Sequence, residues 1–148
     1  MRQLLRILVG LCLVLGVQSE TEAQQFWPQW RGPDGNGVAL KGDPPVEWSE
    51  EQNIRWKADL SGGGHATPIV WGDRIFVSVA VQTDEQVAGQ AGGRRNRRGV
   101  QPTHELRFEV LALDRKTGQE VWRQMAGEEM PHEGRKAEGS WASPSGVT

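Results

Sequence analysis

Few residues in this chain sit at spacings that support chemistry. Ser61-Gly62-Gly63-Gly64-His65 has the glycine content of a phosphate-cradling loop. It lacks the Gly-Lys-Ser/Thr ending and opens no helical pattern, so a flexible connecting loop is expected there. His65, His104 and His132 are scattered and without metal-ligand spacing, which predicts solvated or capping roles. Arg94, Arg95, Arg97 and Arg98 form a compact basic cluster with no interleaved aromatics. It reads as a solvated loop or as a contact for an anionic surface or polymer. No Ser/His/Asp set, no paired catalytic carboxylates and no HExxH helix is recognisable. The inventory leans away from an enzyme and names no catalytic, cofactor-binding or metal-ligating residue.

The 148 residues carry 17 Lys+Arg against 19 Asp+Glu, a net charge of −2 that gives no nucleic-acid footprint. Apolar residues at 36% and charged residues at 24% place the chain among globular rather than disordered sequences. Residues 1–23 read as a secretory signal peptide. Arg2 and Arg6 precede an uncharged apolar run from Ile7 to Val17, and Thr21 and Ala23 are the small residues before the cut. Cleavage after Ser19 is the second option. The apolar run is too short for a membrane span, which needs about 20 residues. Cys12, the single cysteine, lies within this segment after Leu11, which is not the small residue that a lipid anchor requires. The mature chain is therefore expected to be exported, periplasmic or extracellular, with no transmembrane segment. Without a thiol it is expected to lack disulfides and Cys-bound metal.

The elements that must carry these residues are strands. Residues 24–51 are an irregular lead-in rich in Trp, Pro and Gly. Asn53–Ala58 alternates apolar and polar residues, a short strand signal. Pro68–Trp71 and Arg74–Val81 flank Gly72-Asp73 and predict a hairpin with a primed turn. Ile75, Val77, Val79 and Val81 share one face of the second strand; Phe76, Ser78 and Ala80 share the other. Residues 82–105 read as a long exposed Arg/Gly-rich loop. Leu106–Leu113 and Glu120–Arg123 are further strands, Met125–Ser140 is polar and irregular, and residues 142–148 begin another strand. No helical period appears after residue 23, so the fold class is all-β.

Two features recur in order. Trp56 precedes Ala66-Thr67-Pro68, and Trp122 precedes Ala142-Ser143-Pro144. Seven tryptophans against three phenylalanines suit a repeated role for Trp. Ala112-Leu113-Asp114-Arg115-Lys116-Thr117-Gly118-Gln119-Glu120-Val121-Trp122 reads as A-x-D-x-x-T-G-x-x-x-W. Asp114 suits a turn in which its carboxylate accepts from backbone N–H groups and the Thr117 hydroxyl. Gly118 supplies positive φ for strand re-entry. Ala112 allows close approach of a neighbouring sheet, and Trp122 offers a plate to wedge against it.

On this motif, and on the Trp27–Pro33 lead-in, the chain resembles the pyrroloquinoline-quinone (PQQ) repeat family of β-propellers. Within it, the chain resembles the exported bacterial lipoprotein type of outer-membrane assembly, but lacks the lipid-anchor cysteine. The resemblance implies blades of four antiparallel strands around an axis. Residues 67–71, 74–81, 106–113 and 119–124 would form one complete blade. Residues 52–58 and 142–148 would belong to two others, making 52–148 a propeller fragment. It implies an N-terminal piece of a longer protein, with further blades or other copies closing the ring. It also implies a non-catalytic scaffold or binding module for a protein or polysaccharide partner, with His65 placed to face the axial channel. The alternative is the N-terminal part of a PQQ-dependent quinoprotein dehydrogenase. Such enzymes carry adjacent cysteines and a calcium site, and this sequence shows neither pattern after residue 23, so no cofactor is expected.

Overall fold

The computed structural model describes residues 25–86 and 99–148. The expected signal peptide and Arg94, Arg95, Arg97 and Arg98 lie outside the described residues. The described residues contain five strands and no helix, and so no helix long and apolar enough to cross a membrane. The strands are β1 (Phe26–Trp27), β2 (Ile69–Trp71), β3 (Arg74–Gln86), β4 (His104–Asp114) and β5 (Glu120–Glu129). They form one antiparallel sheet in the order β1-β2-β3-β4-β5. The fold class is all-β, as the period-two patterns predict.

Gly72 and Asp73 join β2 to β3, with Trp71 paired to Arg74. Gly72 has φ +57° and Asp73 does not have positive φ, the φ signature of a type II′ turn. The Asp114–Gly118 turn joins β4 to β5. The β3–β4 register runs from Arg74↔Asp114 to Gln82↔Leu106 before an irregularity, and Gln86 pairs with His104.

That register sorts the sheet into two faces. On the first face Ile75, Val77, Val79 and Val81 pair across from Leu113, Leu111, Glu109 and Arg107. Val79, Leu111 and Leu113 are buried at its centre, with Trp56 and Ala58 packed over them. On the second face Phe76, Ser78 and Ala80 lie opposite Ala112, Val110 and Phe108. Ala142 is buried, and a methyl group on Gly146 would reach within 3.4 Å of Ile69 Cδ1 on this face. The segment before β2 thus covers one face, and the segment after β5 approaches the other.

Several expectations need correction. Residues 53–58 and 142–148 are not strands. Trp56 and Ala58 pack onto the first face, so the alternation at 53–58 reflects half-burial without a ladder partner. The span 82–105 is not all loop: β3 continues to Gln86 and β4 begins at His104. Cross-strand pairing carries these polar residues where hydrophobic alternation has ended. For the same reason β5 continues to Glu129, through residues expected to be irregular, alongside the long β4. Phe26 and Trp27 pair with Trp71 and Val70, adding a short edge strand inside the expected irregular lead-in. Ser61–Gly64 is not a free loop. Gly63 exchanges backbone hydrogen bonds with Ala80 at 3.0 and 2.9 Å. A Cβ on Gly62 would press on the Ala80 carbonyl oxygen, and one on Gly64 on that of Ser78. These glycines serve close approach of the chain to β3.

Candidate functional site

The Ala112–Trp122 motif folds as its chemistry requires. Asp114 Oδ1 accepts from the N–H groups of Lys116 and Thr117, each at 2.9 Å, and from Thr117 Oγ1 at 3.0 Å. These bonds, that from the Thr117 N–H foremost, hold the Asp114 carboxyl below its ordinary range; Arg74, 3.5 Å away, adds to the effect. The Gly118 N–H donates to the Asp114 carbonyl at 2.8 Å, and Gly118 has φ +73°. The Arg115 N–H donates to the Asp73 carbonyl at 3.0 Å, which ties this turn to the β2–β3 turn.

Trp56 caps the motif from the first face. Its indole N–H donates to the Arg115 carbonyl at 3.0 Å. Its ring lies over Gly118 so closely that a methyl group there would collide with it. Gly118 therefore meets a packing demand as well as the conformational one. Ala112 is 0% exposed on the opposite face. Trp122 projects from that face, tilted against Phe76 at 5.8 Å between ring centroids, and remains 44% exposed.

The two copies of the Ala-x-Pro feature lie side by side. The N–H groups of His65 and Ala66 both donate to the Ala142 carbonyl, at 3.0 and 3.1 Å. The Thr67 N–H donates to Ser145 Oγ at 2.9 Å. His65 is exposed beside this junction. His104 Nδ1 is within hydrogen-bond distance of Gln82 and Thr103, and His132 lies on a separate loop. The three histidines do not come together.

The structure adds two groupings that the sequence reading missed. The first is a charged cluster on the first face. Glu109 is only 5% exposed and accepts from Arg123 at 2.8 Å. Arg123 also donates to both Glu120 carboxylate oxygens, at 3.1 and 2.6 Å, and to Ser61 Oγ at 2.6 Å. Arg107 donates to Glu128 at 2.8 Å and approaches Glu109 at 3.9 Å. The Arg123 bond lowers the Glu120 carboxyl from its ordinary value, and the same bond raises the guanidinium of Arg123. Hydrogen bonding to Glu128 likewise raises Arg107. The sequence signal was present: Glu109 is in phase with the apolar face of Leu111 and Leu113, so its burial obliges a cationic partner.

The second grouping is a pair of clefts about Trp141. A cleft of about 630 Å³ is lined by Phe108, His132, Glu133, Lys136 and Trp141, among others. A second, of about 320 Å³, contains Ser61, Gln82, Leu106, Ser140 and Trp141. The Trp141 indole N–H donates to the Glu133 carbonyl at 3.1 Å, and the Arg135 guanidinium lies 4.8 Å from the ring centroid. Among the described residues no three His, Cys, Asp or Glu side chains converge as a metal site would require. The chain has no significant match among known protein families, curated proteins or solved structures.

Proposed function

We propose that this chain is an exported, non-catalytic segment of a PQQ-repeat-type β-propeller, presenting a binding or scaffold surface to a protein or polysaccharide outside the cytoplasm. The observation that carries this reading is the placement of the two repeats. In a propeller, consecutive repeats stack as neighbouring blades, so equivalent residues become neighbours. Here Ala66-Thr67 and Ala142–Ser145 are hydrogen-bonded neighbours although 76 residues separate Ala66 from Ala142. Trp56, the first repeat's tryptophan, is docked on the turn that precedes the second repeat's tryptophan. Within the five-stranded sheet, β2 to β5 follow one another in the order of a four-stranded blade, and β1 adds a fifth strand at the β2 edge. The binding role is supported by clefts lined with mixed polar and aromatic groups.

The test is the intact mass of the natural exported protein, combined with small-angle scattering. A mass several times roughly 14 kDa, the size of the chain after signal removal, with scattering from a closed ring, is the expected result. A compact single-sheet particle of that smaller mass would overturn the propeller reading. Calcium-dependent PQQ binding by the same preparation would replace the scaffold role with that of a quinoprotein dehydrogenase.

A further inference from the structure

We infer that the cleft beside Trp141 is a saccharide subsite that takes a neutral pyranose chain. This deepens the binding-module reading and rests on it. The first argument is preorganisation. Trp141 is held at its edge by the indole N–H bond to the Glu133 carbonyl and at one face by Arg135. Arg135 is itself fixed. One of its terminal nitrogens donates to the carbonyls of Lys136, Ala137 and Gly139 at 3.1, 2.9 and 3.0 Å. Its backbone exchanges hydrogen bonds with Val100 at 2.8 and 2.9 Å. The indole is a plate set before any ligand arrives, so binding has little side-chain ordering to offset.

The second argument is chemical. Trp141 is half-buried and borders both clefts, so part of its surface opens on each. The larger cleft, at about 630 Å³, lies within the size range of small-ligand sites. Its lining includes both donors and acceptors: His132 and Lys136 on one hand, Glu129 and Glu133 on the other. Gln82, Ser61 and Ser140 border the smaller cleft. An aromatic plate beside such groups fits a ligand with apolar C–H faces and hydroxyl edges. Charge decides between sugar classes. A polyanion would meet Glu129 and Glu133, and a polycation would meet Arg135 and Lys136. A neutral sugar faces neither penalty and can use both signs as hydrogen-bond partners.

The experiment is isothermal titration calorimetry of the full chain with cellohexaose, maltohexaose and chitohexaose, with oligogalacturonate as the acidic comparison. The expected result is binding of a neutral hexamer and not of the uronate. Trp141→Ala should abolish that binding. Because Trp141 also anchors its loop, His132→Ala and Lys136→Ala provide the second test. Neither side chain makes a hydrogen bond that holds the loop among the described residues, and each variant should weaken binding at least about threefold with the β-sheet circular dichroism unchanged. Trp30→Ala, at an exposed tryptophan outside both clefts, should leave binding intact. No binding of any neutral hexamer by folded protein would overturn the proposal, as would unchanged affinity in the His132 and Lys136 variants, or binding of oligogalacturonate alone. The two readings fail separately. A ring that binds no hexamer keeps the propeller and loses the subsite. A single-sheet particle that binds cellohexaose through Trp141 does the reverse.

Discussion

Gly118 meets two separate demands. Its φ of +73° is in the left-handed region, and the Trp56 ring occupies the space a side chain would need. Gly72 meets only the first, with φ +57° and open space where a Cβ would go. Gly72→Ala should therefore cost about 1–2 kcal/mol, the penalty for an L-residue in that region. Gly118→Ala should cost measurably more, because Trp56 must also move; urea denaturation of the two variants reads the difference. Asp114 makes a prediction in pH. Its folded carboxyl titrates below the ordinary value of 3.8, because the turn N–H groups and the Thr117 hydroxyl favour the charged form. The stability it contributes is fully present above that ordinary value and is lost as pH falls through the lowered folded one. The urea midpoint should drop more for the wild type than for Asp114→Asn between about pH 6 and about pH 2. An equal drop would show that the carboxylate does not stabilise the turn.

At the scale of elements, β3 and β4 supply the centre of the sheet. Leu111 and Val79 are each only 1% exposed, so Leu111→Ala should destabilise by about 2–5 kcal/mol. Val121, on the exposed strand β5, should cost within about 0.5 kcal/mol when changed to alanine. Equilibrium unfolding of the two variants checks the contrast. The alternation of Ile75, Val77, Val79 and Val81 made the core face of β3 legible, because only a half-buried strand needs that period. The ends of the strands were not legible. Residues 82–86 are polar and residues 125–129 carry no apolar alternation, and what makes them strand is the backbone ladder to β4, which no local pattern records. The opposite error occurred at residues 53–58. Their alternation is real, yet it marks side chains lying on a sheet face and not a paired strand.

At the scale of the molecule, Trp56 and Trp122 have different environments. Trp56 is docked on the Asp114–Gly118 turn, whereas Trp122 stands 44% exposed with Phe76 as its ring neighbour. Trp56→Ala should cost about 2–3 kcal/mol, somewhat below the value for a fully buried aromatic. Trp122→Ala should cost under about 1 kcal/mol in this chain. Thermal unfolding of the two variants measures the asymmetry. In the propeller reading, a following repeat would raise the Trp122 cost toward that of Trp56.

The sequence by itself determined the all-β class, the Gly72-Asp73 hairpin, the hydrogen bonding of the Asp114 turn and the positive φ of Gly118. Each of these depends on residues close together in the chain, where steric limits on φ and short side-chain-to-backbone bonds leave few alternatives. Tertiary structure alone decided that Trp56 seats on Gly118, that Arg123 reaches Glu109, Glu120 and Ser61 together, and that Arg135 and Trp141 wall a pair of clefts. Trp56–Gly118, Arg123–Glu109 and Arg123–Ser61 join residues from separate strands and loops. Their partners are chosen by register, burial and the need to pair buried charge, quantities that exist only once the sheet has formed.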